Sequence, residues 1–514
     1  MTSLQPSPLF SDGAVLCHGK RICLFGQAHG NAPVRACLSD REGHILGEGE
    51  ARPENGRFEI ILPPQQPGED RRLTFESGGE TVRIEHVAVG EVYLAGGQSN
   101  MELALCNADE GPEEAAATVD PLLRFFNVPR IPYPDPELEG KLSETRWQSV
   151  APETSGNDSA VAFFFGKSMR RRHPEMPVGI IGCYWGGTSV TCWMDTETLE
   201  TLKEGIRYLR DYEKECAGKT MEQYLKEEKA FQDALDAWNR QVDEYRREHP
   251  GAPWPEISDA CGLCPWFPPA GPGSPYRPAG LVETMLRPVS PMTLTAILYY
   301  QGEADAALTD HYDELMAAMI ALWRRMMKDE ELPFLFVQLP MWLDFGAADT
   351  FHWPKTRLAQ AKVRDTVANT GMICLLDEGE YGNIHPTCKR PVGERLAELA
   401  CAMLYGKGEL SPRALRAVRA GDAVEVTLSA PVSARDGEAA LLEIAGEDGV
   451  FCPAEGEMQG SAIRIHADNV PEPVSVRYAW TDYSDRVNLF GENGLPLEPF
   501  RLQAEKRWKY ESKH

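Results

Sequence analysis

The apolar run Val92-Tyr-Leu-Ala95, closing on Gly96-Gly97-Gln-Ser-Asn-Met101, constrains this chain more than any other stretch. An unbroken apolar run of that length is the pattern of a strand covered on both faces, and such strands build parallel sheets. The Gly-Gly pair permits a tight turn straight after the strand, and Ser99 then stands where a helix would begin. In an open α/β sheet that position lies beyond the carboxyl ends of the strands, where ligands bind. The first N–H groups of a helix have no intrahelical partner and favour negative charge. A hydroxyl held there suits a nucleophile, and the same residues also suit an ordinary strand-to-helix loop with Ser99 as its N-cap. What separates the two readings is whether the rest of the chain supplies a base and donors for an oxyanion.

Over 91–406, strand-like runs alternate with stretches of helical period. Buried strands are predicted over 178–182, 294–300, 334–339 and 372–376, and helices over 158–172 and 312–327, the first with Val161, Phe164, Phe165 and Met169 on one stripe. That alternation predicts an α/β domain, a parallel sheet sandwiched by helices. Residues 1–90 instead carry short alternating runs (21–25, 34–38, 58–62, 72–75, 81–85) between Gly, Pro, Asn and Asp, the pattern of a small β-sandwich. Alternation returns over 407–514, predicting a second all-β domain. An insertion at about 196–278 interrupts the α/β part. Its first half, dense in Glu, Lys, Arg and Leu, predicts a solvated helical hairpin. Its second half carries Trp254, Trp266, Phe267 and Tyr276 and reads equally as a pocket rim or as packing.

Charge narrows the partners. With 78 acidic against 52 basic side chains, a net −26, the surface repels nucleic acid and anionic membranes. No apolar run approaches the roughly 18 residues of a membrane span. The opening residues lack a basic and then an apolar segment, so no signal peptide is expected. The thirteen cysteines are an odd number, which suits reduced thiols and a cytoplasmic location. Cys261-Gly-Leu-Cys264 is a lone pair in a Pro- and Gly-rich loop, without a second pair at metal-site spacing. Oligomeric state is not readable from these features.

Four loops that follow predicted strands hold the chemistry: Gly96-Gly-Gln-Ser-Asn100, Trp185-Gly-Gly-Thr-Ser189, Gln301-Gly-Glu303 and Asp377-Glu-Gly-Glu-Tyr-Gly-Asn-Ile-His-Pro386. If the strands are parallel, all four emerge on one edge of the sheet. Acyl transfer by a hydroxyl needs a nucleophile, a base and oxyanion donors. Ser99 is the candidate nucleophile, and His385, the single histidine in these loops, the candidate base. The backbone N–H groups of Ser99 and Gly187 and the side-chain amide of Gln301 are the candidate oxyanion donors.

Gly97-Gln-Ser-Asn-Met101, Trp185–Trp193, Tyr299-Tyr-Gln-Gly-Glu303 and Asn383–Gly393 occur in that order, joined by Arg357-Leu-Ala-Gln360, by Leu9–Leu16 and by the ending Val476-Arg-Tyr-Ala-Trp480. These blocks resemble those of the sialate O-acetylesterase family, within the SGNH hydrolase superfamily, over nearly the whole chain except the insertion. The resemblance implies an SGNH-type fold and a serine esterase, free of cofactor and metal, that removes acetyl groups from sugar hydroxyls through an acetyl-Ser99 intermediate with His385 as general base. It implies Gln301 and Gly187 as oxyanion donors, with Gln98, Trp185 and Arg357 lining the substrate.

One position departs from the pattern. Where the superfamily commonly places an aspartate three residues before the histidine, this chain has Gly382, and the next residue is Asn383. Candidates for orienting the imidazole are, in order, the Asn383 carbonyl, Glu303 and Asp377, with Glu380 also in the loop. For substrate, O-acetylated sialic acid is expected, with Arg357 as a partner for its carboxylate. Acetylated xylan or another plant glycan would use the same machinery, and a non-catalytic carbohydrate-binding protein is the reading from another class.

Overall fold

A computed structural model describes residues 4–308 and 310–506. Thr309 and the ends of the two expected flanking domains, 1–3 and 507–514, lie outside the described residues. The central sheet is built from β1 (Glu80–Gly97), β2 (Asp120–Asn127), β3 (Gln148–Val150), β4 (Val178–Tyr184), β5 (Ala296–Tyr300), β6 (Phe334–Val337) and β7 (Thr370–Ile373). Their spatial order is β3-β2-β4-β1-β5-β6-β7. All neighbours run parallel except β3, which pairs antiparallel with β2. The chain leaves β1 to build one half of the sheet and returns to build the other, so the carboxyl end of β1 is a switch point.

Successive residues of β1 face opposite layers, as the two-residue period of a strand requires. Tyr93 and Ala95 pack with Leu298 and Leu335 under α2 (Ala160–Arg172) and α6 (Arg390–Tyr405). Val92 and Leu94 pack with Ile297, Tyr299, Phe334 and Phe336 under α4 (Tyr312–Met326). An apolar side chain is therefore needed at every position, which is why β1 lacks polar alternates. The Tyr93 and Phe165 rings meet edge to face at 4.7 Å. Burying each such ring contributes roughly 1.5–3 kcal/mol.

The N-terminal region holds two facing sheets, one of which runs on into the central sheet. The expected boundary at 90/91 falls inside β1, a single 18-residue strand. Strands Val15–Cys17, Val34–Ser39, Ile45–Ala51 and Gly68–Ser77 join the central sheet through the first half of β1, while Leu4–Pro6, Ile22–Ala28 and Arg57–Leu62 form a separate sheet against them. Burial along β1 alternates up to His86 and is complete from Val87 onward. The change in periodicity marks a change in what covers the strand rather than a break in the chain. The last strand also sits earlier than expected, at Thr370–Ile373 instead of 372–376.

The insertion forms Lys203–Glu215 and α3 (Met221–Glu248), the latter opened by a Thr220–Gln223 capping box. Among its 28 residues α3 buries Tyr224, Phe231 and Val242, so most of its charged residues form a wet surface, as the sequence predicts. The C-terminal region forms sheets of five, four and two strands, antiparallel except where Ala414–Ala420 pairs parallel with Glu505–Lys506. Met341, Cys374 and Leu376 of the α/β part lie in its core. The Asp482 carboxylate accepts from the backbone N–H groups of Thr350, Phe351 and Trp353, fixing the start of α5 (His352–Thr366). All thirteen cysteines are free thiols. No helix among the described residues is long and apolar enough to cross a membrane.

Candidate active site

The register of the sheet brings three of the four loops together. Gly97 pairs with both Tyr184 and Tyr300, so β1, β4 and β5 end at one level and release Ser99, Gly186-Gly187 and Gln301 side by side. Gly97 has φ +134°, and a Cβ there would lie 2.1 Å from the Tyr300 carbonyl oxygen. Only glycine lets the chain turn that close to its neighbour. The turn delivers Ser99 to the first position of α1 (Ser99–Glu102).

The fourth loop crosses to meet it. The Ser99 Oγ and His385 Nε2 are 2.8 Å apart, across 286 residues of chain. The Ser99 and Gly187 N–H groups have no acceptor among the described residues. Their neighbour Gly186 donates its own N–H to Glu102 Oε2 at 2.6 Å, and a Cβ on Gly186 would come within 3.3 Å of Ser99 Cβ. Gly187 is left-handed at φ +74°, and a Cβ there would meet the Trp266 ring at 2.3 Å. An indole from the Pro- and Gly-rich half of the insertion thus covers the loop beside Ser99.

A buried polar cluster holds the histidine loop. Asn100 donates from Nδ2 to Glu303 Oε1 at 2.6 Å and to the Ile384 carbonyl at 2.9 Å, and its Oδ1 accepts from Lys389 Nζ at 2.5 Å. Asn100 and Lys389 are buried. The ammonium also stands 5.5 Å from the centre of the Tyr300 ring, a cation–π contact. Burial lowers Lys389 to about 8, while Glu303 and Glu380 act the other way. Burial raises the Glu303 carboxyl, opposed by the Asn100 hydrogen bond and the Lys389 charge. His385 keeps one accessible edge but stands among protein atoms on its other sides, and this burial, with the Lys389 ammonium, lowers it to about 4.

Several expected roles meet a different geometry. Gln301 is buried, and its Nε2 donates to Asp305 Oδ2 at 2.6 Å, with Gln98 Oε1 and the Thr188 carbonyl each at 3.2 Å. Three acceptors surround two hydrogens, so this amide braces the loops and has none left for an oxyanion. Asp305 gathers the same loops, accepting from the Ser189 hydroxyl, the Val190 N–H and the Tyr208 hydroxyl of the insertion. Gln98 is buried in that brace, its Oε1 also taking the Ala304 N–H. The Asn383 side-chain oxygen accepts from the His385 backbone N–H at 3.0 Å, not from the ring, and its Nδ2 donates to Glu380. Asp377 is held bidentate by Arg395. The His385 Nδ1 makes no hydrogen bond among the described residues, whereas Glu303 Oε2 is buried without a partner.

Arg357 is fully buried, its guanidinium on the Pro340, Ala479 and Thr481 carbonyls. It cannot meet a substrate carboxylate; it ties α5 to the C-terminal region instead. Trp185 is half-buried at the cleft mouth, with the Arg130 guanidinium 5.6 Å from its ring centre. Among the described residues the only grouping with metal-ligand geometry is Asp40, Glu42 and His44, on a largely exposed turn of the N-terminal region.

Residues 273–402 match the family described as carbohydrate esterase, sialic acid-specific acetylesterase. Over that stretch, about a quarter of its length, the chain is similar to this esterase family. The matched stretch includes Gln301, Glu303 and His385, while Ser99 and Gly187 precede it. The esterase is 24% identical to the mouse sialate O-acetylesterase, over 95% of this chain and 92% of that protein. It is 23% identical to the human sialate O-acetylesterase, over 86% and 81% of the two chains. In structure it is similar to a carbohydrate acetylesterase from Xanthomonas citri, with a TM-score of 0.75 and 28% identity over 97% of this chain and 99% of that one.

In the esterase, the residues that sequence reasoning passed over are Asn100, Glu102, Arg130, Asp305 and Lys389. Asn100 and Lys389 lie inside the very blocks that carry the resemblance. A buried lysine within a few residues of the candidate histidine was the available signal, since charged groups enter a core only when paired.

Proposed function

We propose that the esterase removes O-acetyl groups from sialic acid through an acetyl-Ser99 intermediate, within an SGNH-type α/β domain. The observation that carries this reading is the 2.8 Å contact between Ser99 Oγ and His385 Nε2, with two unpaired backbone N–H groups beside it. Ser99 Oγ attacks the acetyl carbonyl as its proton passes to His385 Nε2. The carbonyl oxygen gains the negative charge and is received by the N–H groups of Ser99 and Gly187. Collapse of that adduct breaks the bond to the sugar oxygen, which takes the proton back from His385. Water, deprotonated by the now neutral imidazole, then attacks the acetyl group and releases acetate and Ser99. Gln301, in this scheme, positions the oxyanion loop through Asp305 and Thr188 and does not touch the substrate.

His385 works in this scheme as the neutral base, so activity is lost as pH falls through its pKa. Because burial and the Lys389 charge hold that pKa below the ordinary 6.5, the acid limb of kcat/KM is expected below pH 6.5. Lys389→Met removes the nearby cation, raises the imidazole pKa and moves the limb upward. A pH–rate profile measured with an aryl acetate checks both; a limb at or above 6.5 in the unaltered enzyme contradicts the assignment.

The test of substrate is a panel of acetylated sugars, assayed with wild type and with Ser99→Ala. Release of acetate from O-acetyl sialic acid by wild type alone supports the reading; turnover confined to acetylated xylo-oligosaccharides replaces sialic acid with a plant glycan. A serine-directed phosphonate that leaves no adduct on Ser99 would favour a carbohydrate-binding protein without catalysis.

A further inference from the structure

We infer that Arg130 is the residue that recognises the carboxylate of an acidic sugar, and so makes the cleft selective for acetyl esters of carboxylated sugars. The inference rests on the esterase reading above and deepens it. Arg130 contacts Glu102 Oε1, the carboxylate whose other oxygen takes the Gly186 N–H beside Ser99. Two steps therefore link this guanidinium to the nucleophile. Its side chain is nonetheless 57% exposed, and its hydrogen-bonding contact among the described residues is that single carboxylate oxygen. A guanidinium has five N–H donors in a planar fork, so most of it is open to a second acceptor.

The surroundings fit a sugar acid. The guanidinium stands over the Trp185 ring, directly before the Gly186-Gly187 turn, and Tyr184 and Tyr276 lie within electrostatic reach of it. Aromatic faces hold the apolar side of a sugar ring, while the fork binds its carboxylate by charge-assisted hydrogen bonds. An accessible cation at this place also opposes the general field, because a chain of net charge −26 repels an anionic substrate elsewhere on its surface. Arg357, the cation that the resemblance placed at the substrate, and Lys389 are both buried and engaged, with backbone carbonyls and with Asn100 respectively.

The decisive comparison is between a free acid and its methyl ester, which differ only in the carboxylate charge. Wild type and Arg130→Met are assayed on an O-acetylated sialic acid and on an O-acetylated uronic acid, each as free acid and as methyl ester, together with p-nitrophenyl acetate. For the acid that the site accepts, Arg130→Met should lower the ratio of kcat/KM on the free acid to kcat/KM on its methyl ester by about 10- to 100-fold, with the aryl acetate reporting any effect passed on through Glu102 and Gly186. Which of the two acids shows the drop identifies the source of the carboxylate. A merely structural Arg130, acting through Glu102 and Gly186, would lower all substrates together, and that result overturns the inference. So does an unchanged rate on both acids. Wild type that hydrolyses none of the compounds overturns the esterase reading itself, which separates the two failures.

Discussion

Ser99→Ala lowers kcat on p-nitrophenyl acetate by roughly 10⁴- to 10⁶-fold, and His385→Ala does so by a similar factor. The expectation follows from how the two groups act. In the proposed scheme Ser99 supplies the atom that becomes acylated, and without His385 its hydroxyl keeps a proton that no other described side chain accepts, since the side-chain partner of Ser99 Oγ is His385 Nε2. Because they act as one unit, the double mutant should be no slower than either single mutant. Residual activity above water is expected from the backbone donors, which neither substitution removes. Stability should hardly change: the lost contact is one hydrogen bond with an accessible partner, worth about 0.5–1.5 kcal/mol. Steady-state rates, with circular dichroism to verify the fold, check this. Full activity in Ser99→Ala would remove the acetyl-enzyme from the scheme.

What could be read from sequence was whatever short-range pattern dictates. The strand, the Gly-Gly turn and Ser99 are contiguous, and the pairing of Gly97 with Tyr184 and Tyr300 follows once those runs are parallel strands. The meeting of Ser99 with His385 was accessible because both loops follow strands of one sheet. Roles that depend on where a side-chain tip ends were not accessible. Gln301 is turned away from an oxyanion by Asp305, only four residues on, because the Glu303–Leu308 turn folds that carboxylate back beneath the amide. Arg357 is drawn inward by carbonyls more than a hundred residues later, at Ala479 and Thr481. No local pattern announces such contacts. Nor does a period-two run announce what covers it, so the sequence divides β1 at residue 90, whereas its burial becomes complete at Val87 and its backbone continues without a break.

Glu303→Gln should lower kcat by roughly 10²- to 10⁴-fold with little change in KM, as expected where this carboxylate supplies the charge that stabilises the imidazolium of the proposed scheme. The three carboxylates that could carry that charge, and the neutral Asn383, are separated by their existing partners: Glu380 accepts from Asn383 Nδ2 and from the Thr387 N–H. Asp377 is neutralised by a bidentate Arg395, and Asn383 gives its oxygen to the His385 backbone. Glu303 alone of the three keeps a buried oxygen, Oε2, without a partner. A buried unpaired carboxylate oxygen is costly, and such groups persist mainly where function needs them. Glu303 is also joined to the histidine loop, because the Asn100 amide that it accepts from donates in turn to the Ile384 carbonyl. As His385 takes the Ser99 proton, an imidazolium forms in the neighbourhood of the Lys389 cation, and without the Glu303 charge Glu380 is the carboxylate left acting on that lysine. Glutamine keeps the shape and can still accept from Asn100 but supplies no charge, so the fold should persist while turnover falls. Asn383→Ala, which removes only a backbone support, should cost less than about tenfold by comparison. If instead Glu303→Gln retains its rate and Asn383→Ala loses a hundredfold, the histidine is oriented by the neutral amide and the enzyme works as a dyad.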